Sequence, residues 1–207
     1  MPGGTPGGGV GGVNVRFADV PTTIRDMTHE DLTAVPDIER RSYEFPWSHG
    51  VFRDCLLAGY QCMVLIREDQ VAGYAILSVA AGEAHILNLC VEPEFRSMGY
   101  GERLLDEMLF RARAALVQAI FLEVRPSNKN ALALYRKKGF HKVANRPAYY
   151  QANAGREDAA VLVKKIHTAA DHLRVVPEWP YHPQALVVEA AYKIAGAVAN
   201  DSTDCSQ

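Results

Sequence analysis

A chain of 207 residues with a hydrophobic fraction of 48% and a formal net charge of −2 can bury one sizeable core and is not a disordered polymer. Because basic and acidic residues are nearly equal in number, no basic surface is indicated and direct nucleic-acid binding is not expected. The chain starts without the charged and apolar regions of a secretory signal, and no stretch is apolar enough to span a bilayer. We therefore expect a cytoplasmic protein without membrane contact.

Cysteine and histidine spacing gives no indication of a metal site or a disulfide framework. The four cysteines stand at irregular intervals without a C-x-x-C pair, which is typical of reduced thiols in the cytosol. The seven histidines show no metal-binding spacing such as H-E-x-x-H, so they are expected on the solvated surface. The sequence predicts no bound metal.

Composition divides the chain into three parts. Residues 1–20 are rich in glycine and proline and are predicted to be a flexible lead. Residues 21–166 carry alternating β and helical patterns and are predicted to form the folded domain. Residues 167–207 contain spaced prolines around Trp179 and Tyr181 and an Ala-rich stretch at 185–199 that could form a helix. They are predicted to be a C-terminal extension whose role the sequence does not reveal.

Hydrophobic periodicity and capping residues predict a mixed order of strands and helices in residues 21–166. Thr28 is placed as the N-cap of the first helix with Asp31 as the acid of a capping box, and Ser48 is placed to cap the second helix. The predicted elements are a strand at 22–25, helices at 28–41 and 48–57, strands at 62–67, 71–79 and 84–91, a helix at 100–115, a strand at 119–124, a helix at 129–138, and strands at 140–143, extending toward 150, and at 159–165. This order predicts a mixed sheet covered by helices.

The segment 96–101, Arg-Ser-Met-Gly-Tyr-Gly, lies between a predicted strand and a predicted helix. The first N–H groups of a helix lack intrahelical partners and the helix dipole favours negative charge there, which suits a diphosphate. Gly99 and Gly101 allow close approach to the backbone, and Arg96 can add a charged contact. The alternative is a tight turn whose glycines are purely steric, because a single Gly-x-Gly is a weak signal.

Further motifs give this loop its context. They are Phe-Pro-Trp-Ser at 45–48, Leu-Glu-Val-Arg-Pro-Ser-Asn at 122–128, Ala-Leu-Ala-Leu-Tyr at 131–135 running to Gly-Phe at 139–140, and Tyr-Tyr at 149–150 followed by Gly-Arg-Glu-Asp at 155–158. Over residues 22–166 the chain resembles the GNAT family of N-acetyltransferases, and within it the bacterial enzymes that acetylate the N-terminus of a ribosomal protein. The resemblance implies an α/β (α+β) fold with a mixed, mostly antiparallel sheet of about seven strands and about four helices.

The resemblance also implies acetyl-CoA as the cosubstrate and a role for each matching residue. Glu123 would be the proton acceptor and Tyr135 the proton donor. The residues implied in binding acetyl-CoA are Leu89, Cys90, Val91, Arg96, Ser97, Met98, Gly99, Tyr100, Gly101 and Asn128. Ser97 and Cys90 depart from the residues common at their positions, which leaves the affinity for CoA open but removes no catalytic group.

The residue chemistry supports these roles without excluding simpler ones. Glu123 lies among apolar neighbours, where desolvation would raise its pKa and make it a better base; alternatively, Arg125 or a backbone amide satisfies its carboxylate. Asn128 and Tyr135 are on one face of a predicted helix, which suits an elongated ligand. A tyrosine with a pKa of about 10 is protonated at neutral pH and can donate a proton. The alternative for Tyr135 is an ordinary core aromatic.

Aromatic residues provide candidates for the groove that binds the acceptor peptide. Their rings and hydroxyls could form its walls, although a Phe-Pro-Trp tract is equally consistent with a plug that ends a helix. The candidates are Phe45, Trp47, Tyr149 and Tyr150.

The function hypothesis is acetyl transfer from acetyl-CoA to the N-terminal α-amine of a protein, without a covalent enzyme intermediate. The resemblance implies the N-terminal alanine of the small-subunit ribosomal protein eighteen as the substrate. A peptide α-amine titrates near about 7.7–8.0 and a lysine near about 10.4, so an α-amine is easier to neutralise with one modest base. The alternatives are acetylation of lysine side chains or small amines, and a non-catalytic acetyl-CoA-sensing module. We expect a monomer.

Overall fold

Seven strands and four α-helices follow one another over residues 20–166, the part of the chain that the computed structural model describes. The strands are β1 (Thr22–Asp26), β2 (Gln61–Arg67), β3 (Gln70–Ala80), β4 (Glu83–Val91), β5 (Ala119–Val124), β6 (His141–Ala152) and β7 (Gly155–Lys165). The helices are α1 (Ala34–Ser42), α2 (His49–Leu57), α3 (Tyr100–Ala114) and α4 (Lys129–Lys137). The predicted fold class is confirmed.

The strands form one sheet in the order β1-β2-β3-β4-β5-β7-β6. All neighbouring pairs are antiparallel except β4 and β5, which are parallel. Antiparallel neighbours can be joined by tight turns, whereas the parallel pair needs a crossover, and α3 supplies it. The helix therefore begins beside the carboxyl end of β4.

Alternation of side chains along the strands produces two hydrophobic layers, one on each face of the sheet. On β2, Met63 and Leu65 belong to the layer covered by α3 and α4, whereas Val64 belongs to the layer covered by α1 and α2. On β3, Ala75 and Tyr74 divide in the same way. Burial of both faces explains why the central strands are almost continuously apolar in sequence.

A β-bulge in β4 separates it from β5. Ile86 of β4 pairs with Leu77 of β3 and Asn88 pairs with Ile76, so Leu87 is the extra residue. The parallel pairing of β4 with β5 runs from Glu83 only as far as Ile86. Beyond this point the two strands diverge, because a bulge bends the strand that carries it.

The first predicted helix requires a correction. The segment 28–41 forms a 3₁₀ turn at His29–Leu32 and then α1, rather than one continuous helix. The capping acid is correct, since the backbone N–H of Thr28 donates to Asp31 Oδ2 at 2.8 Å. Arg25 donates to the same carboxylate, so Asp31 joins β1 to the start of the 3₁₀ turn.

The last two strands are longer than predicted. The predicted strands leave residues 151–158 between them, but β7 already begins at Gly155, and β6 continues to Ala152. Arg156 supports the extended hairpin through hydrogen bonds to the carbonyls of Ala148 and Tyr149. The period-2 pattern is hard to recognise here because β6 and the first four residues of β7 are only exposed or half-buried.

One histidine is not on the solvated surface. The ring of His85 stacks on Phe121 with 5.3 Å between the ring centroids. Burial lowers the pKa of His85 to about 4, so the imidazole is neutral at neutral pH.

The predictions for residues 1–19 and 167–207, including the Ala-rich helix at 185–199, lie outside the described residues.

Within residues 20–166, none of the helices is both long and apolar enough to cross a bilayer.

Gly73 is a place where the fold tolerates no side chain. A Cβ at this position of β3 would lie 2.8 Å from the carbonyl oxygen of Cys90 and 3.2 Å from Leu104 Cδ1. We expect Gly73→Ala to lower the free energy of unfolding by about 1–3 kcal/mol, measured by urea denaturation, because backbone must move to make room. Gly50→Ala is the control: its Cβ would meet nothing closer than Ser48 Oγ at 3.6 Å. It should raise stability by about 0.4–1 kcal/mol. Equal effects would contradict the packing argument.

Candidate active site

A cavity of about 790 Å³ occupies the opening between β4 and β5. It receives residues from both faces of the sheet, because the strands no longer close it. Leu89 and Val91 line it from β4, and Glu123 and Val124 line it from the end of β5. The remaining walls come from α1, the segment 42–47, the loop before α3, the first turns of α3 and α4, and the β6–β7 hairpin.

The loop before α3 presents backbone N–H groups to this cavity. Gly99 is the N-cap of α3 with a φ of 82°, a left-handed conformation that favours glycine. The first bond of the helix ladder runs from Arg103 N to Gly99 O at 3.1 Å. The N–H groups of the preceding turn therefore have no partner within the helix, and the helix dipole adds partial positive charge. This arrangement can bind an anion such as a phosphate group.

Not every residue predicted to bind the cosubstrate lines the cavity. Cys90 is buried with the α1–α2 layer, so only its backbone can reach a ligand in the opening. Met98 is exposed and does not line the cavity, whereas Arg96 lines it and donates from Nε to the carbonyl of Val91 at 3.3 Å. The residues of the predicted set that line the cavity are Leu89, Val91, Arg96, Ser97, Gly99, Tyr100, Gly101 and Asn128.

Asn128 has a structural function in addition to its position on the cavity wall. It is the N-cap of α4, and its Oδ1 accepts a hydrogen bond from the backbone N–H of Ala131 at 3.1 Å. The acceptor atom of the side chain is thus used by the helix, which leaves the amide group as the donor toward a ligand.

Glu123 points to the face opposite Leu122 and is largely buried, with 14% of its side-chain surface exposed. Burial raises the pKa of this carboxyl, and the positive charge of Arg146 opposes the increase. Arg146 on β6 approaches Glu123 Oε1 to 3.4 Å. The proposed alternative of pairing with Arg125 is wrong, because Arg125 pairs with Glu157 at 3.0 Å instead.

Tyr135 is a buried residue of α4 that also lines the cavity. Its ring lies edge-on to Phe140 with the centroids 5.7 Å apart. Burial raises the pKa of Tyr135 to about 12. The side chain is therefore both part of the core and in contact with the opening, so the two interpretations of Tyr135 are not exclusive.

Three of the four predicted groove aromatics line the cavity. Phe45, Trp47 and Tyr150 contribute to its walls, whereas Tyr149 lies behind Tyr150, edge-on at a centroid distance of 4.6 Å. The guanidinium of Arg125 lies 4.3 Å from the centroid of the Tyr150 ring. That contact fixes the ring against the end of β5.

Sequence reasoning missed two residues of the cavity wall on α1 and just after it. Glu39 is buried and accepts hydrogen bonds from the backbone N–H of Trp47 and from the hydroxyl of Tyr74. The Tyr43 hydroxyl donates to the carbonyl of Leu89 at 3.4 Å. A signal for Glu39 existed: it shares the helical stripe of Val35, Ile38 and Ser42, and a carboxylate in an apolar stripe demands an explanation.

Among the side chains of residues 20–166, no cluster of three or more histidine, cysteine, aspartate or glutamate residues could hold a metal ion.

Comparison with known proteins identifies the group of enzymes with this architecture. The chain belongs to the Acetyltransferase (GNAT) family, which residues 32–140 match. GNAT acetyltransferases use acetyl-CoA. The membership predicted from the motifs is thus confirmed, and with it the prediction of an N-acetyltransferase.

Two relatives specify the resemblance within the family. The [ribosomal protein bS18]-alanine N-acetyltransferase of Salmonella typhimurium is 35% identical over 144 residues, covering 70% of this chain and 97% of that protein. The crystal structure of the ribosomal-protein-S18-alanine N-acetyltransferase from Escherichia coli superposes with a TM-score of 0.70 at 34% identity, covering 74% of this chain and 99% of that chain. The predicted similarity to this group of ribosomal-protein acetyltransferases, known as RimI, is confirmed.

The chain is also similar to a solved structure that is more distant in sequence. Ard1 from Thermoplasma volcanium is 28% identical with a TM-score of 0.64, covering 71% of this chain and 99% of that chain.

Proposed function

We propose that this chain transfers the acetyl group of acetyl-CoA to the N-terminal α-amine of a protein, with the N-terminal alanine of ribosomal protein bS18 as the acceptor. One observation supports this above all: a buried carboxylate, Glu123, and a cradle of helix N–H groups face the same cavity. The bS18-alanine N-acetyltransferases match this chain over nearly their whole length, which supports the choice of acceptor. A ribosomal protein as acceptor agrees with the expected cytoplasmic location.

The residues on the wall fit acetyl-CoA in two respects. The N–H groups around Gly99 suit the diphosphate, and Arg96 adds positive charge beside them. The opening of the sheet after Ile86 leaves backbone of β4 facing the cavity, where it can hydrogen-bond an amide-rich arm. Leu89, Val91 and Asn128 would hold that arm. Bound acetyl-CoA supplies an acetyl thioester, whose transfer to an amine needs a neutral nucleophile and a proton for the departing sulfur.

Glu123 and Tyr135 would meet these two needs. The raised pKa of Glu123 brings the carboxylate closer to the pKa of an α-amine, which improves it as a base. The positive charge of Arg146 opposes that increase and favours the ionised form of the carboxylate. Tyr135, with a pKa of about 12, holds its proton throughout the neutral range. It would therefore act as a hydrogen-bond donor to the leaving sulfur.

The choice between an α-amine and a lysine follows from proton affinity. A peptide α-amine has a pKa of about 7.7–8.0, against about 10.4 for lysine. A single carboxylate therefore neutralises an α-amine more readily than a lysine. The lower pKa of an α-amine therefore supports an N-terminal acceptor.

A peptide panel tests the proposed function. Purified protein with acetyl-CoA should release CoA with a peptide that begins with alanine, and mass spectrometry should locate the acetyl group on the α-amine. The same peptide blocked at its N-terminus but containing lysine is the control. Turnover of the blocked peptide alone would establish lysine acetylation instead, and binding of acetyl-CoA without any turnover would indicate a sensing module.

Glu123→Gln tests the base. The substitution keeps the shape of the side chain but removes proton-accepting ability, so the turnover rate should fall by about 10²–10⁴-fold. The affinity for acetyl-CoA, measured by calorimetry, should change little. A rate equal to that of the original protein would remove Glu123 from the mechanism.

Arg146→Gln tests how Glu123 is kept ionised. A carboxylate base is active above its pKa, so the rate falls as the pH decreases through that pKa. Loss of the positive charge 3.4 Å from Glu123 should raise the pKa further and shift the acid side of the pH–rate profile upward by about one unit. Arg146→Lys retains the charge and should shift it less. An unshifted profile, or a downward shift, would contradict the role of Arg146.

A further inference from the structure

Glu39 is a buried carboxylate on the cavity wall that the proposed chemistry does not use. It lies on the buried side of α1 with 2% of its surface exposed, and it lines the cavity together with Trp47 and Asn88. Burial raises the pKa of the carboxyl, while hydrogen bonds from Tyr74, Trp47 and Asn88 oppose the increase.

The carboxylate of Glu39 connects three other parts of the fold. Its Oε1 accepts from the backbone N–H of Trp47 at 3.1 Å, and its Oε2 accepts from the Tyr74 hydroxyl. Asn88 of β4 donates from its side chain. One side chain of α1 therefore holds the segment after that helix against β3 and β4.

Aromatic packing reinforces the same connection. The ring of Phe52 lies 5.6 Å from the ring of Trp47 and 5.4 Å, edge-on, from the ring of Tyr74. Trp47 is thus fixed at its backbone by Glu39 and at its side chain by Phe52. The neighbouring Phe45, in contrast, is 40% exposed and depends on the anchored backbone for its position.

Stability alone does not account for a glutamate here. The three donors to Glu39 are a phenol, a backbone amide and a side-chain amide, all neutral. A buried carboxylate whose donors are all neutral retains a large desolvation penalty, and an apolar residue of similar volume is often equally stable or better at such positions. Asp31 offers a contrast, because its buried carboxylate has the guanidinium of Arg25 as a partner.

We propose that Glu39 is a positioning residue for the acceptor: it fixes the segment 45–47 as the wall against which the incoming peptide N-terminus binds. This rests on the proposed function. Glu39 acts through the backbone of Trp47 and touches neither the acetyl group nor the base. Its loss should therefore weaken acceptor binding much more than acetyl-CoA binding, since the N–H cradle of Gly99 belongs to another element.

Steady-state kinetics on the full chain separate the two substrates. Glu39→Ala removes the acceptor atoms for Trp47 and Tyr74 and should raise the KM for an Ala-initiated peptide by at least about fivefold. The KM for acetyl-CoA should stay within about twofold. Glu39→Gln keeps an acceptor for the Trp47 amide and should rescue part of the loss. Tyr74→Phe, which leaves the Trp47 bond intact, should have the smallest effect.

Asp31→Asn is the matched control. It removes the buried carboxylate of a residue in the 3₁₀ turn before α1. This residue does not line the cavity. It should lower thermal stability without changing the ratio of the two KM values. If Glu39→Ala shifted both KM values equally, or if Asp31→Asn reproduced the split, Glu39 would have only a structural role.

Fluorescence gives a readout that does not depend on activity. The chain has two tryptophans, Trp47 and Trp179, so a Trp179→Phe background isolates Trp47. Glu39→Ala should make Trp47 measurably more accessible to acrylamide than Asp31→Asn does. Unchanged quenching would overturn the anchoring by Glu39. If the original protein acetylated no α-amine, the proposed function and the acceptor role would both fail, and quenching would still decide whether Glu39 holds Trp47.

Discussion

The divergence of β4 from β5 is the constraint on which the cavity depends. A parallel pair that remained hydrogen-bonded to its end would place Leu89 and Val124 in one continuous ladder and close the sheet. Instead, the extra residue Leu87 ends the pairing at Ile86. The backbone after the bulge then faces an opening rather than a neighbouring strand. The Tyr43 hydroxyl already uses one of these carbonyls, that of Leu89, which shows that the groups accept partners from outside the sheet.

The same divergence determines where charge can be buried. Glu123 is the residue of β5 directly after Leu122, the last partner of β4, so it lies at the point where the sheet opens. It is deep enough for burial to raise its pKa, yet it lines the cavity. The start of α3 faces the same opening because the crossover helix must begin beside the end of β4. The topology therefore brings together the proposed base and the proposed anion site.

Several helix and strand boundaries and the loop before α3 could be predicted from the sequence because they depend on local residue patterns. Ser48 lies at the N-cap position of α2, although its side chain makes no capping hydrogen bond, and Gly99 directly precedes α3. The bounds of β5 match its apolar run. The segment 96–101 could be identified for the same reason, since its proposed role depends on consecutive backbone groups. These signals need no knowledge of what lies across the sheet.

Features that depend on distant contacts could not be predicted. The bulge at Leu87 arises from the pairing register between β3 and β4. The alternation of residues 84–91 does not indicate it. Arg146 of β6, rather than Arg125, which is nearer in sequence, approaches Glu123. This contact depends on the strand order β5-β7-β6, which local residue patterns do not show. The placement of Tyr149 behind Tyr150 similarly depends on which face of the hairpin turns toward the opening.

Two buried glutamates line the cavity, and they differ in the partners of their carboxylates. Glu123 has the cationic Arg146 nearby, so its ionised form is stabilised while the carboxylate still lines the cavity and can accept a proton. Glu39 receives three neutral hydrogen bonds, one of them from a buried phenol, and its oxygens are occupied by those donors. A group whose lone pairs are already used is poorly placed to remove a proton from a substrate. The hydrogen-bond partners, rather than burial alone, therefore support the proposed division of roles, with proton transfer by Glu123 and positioning by Glu39.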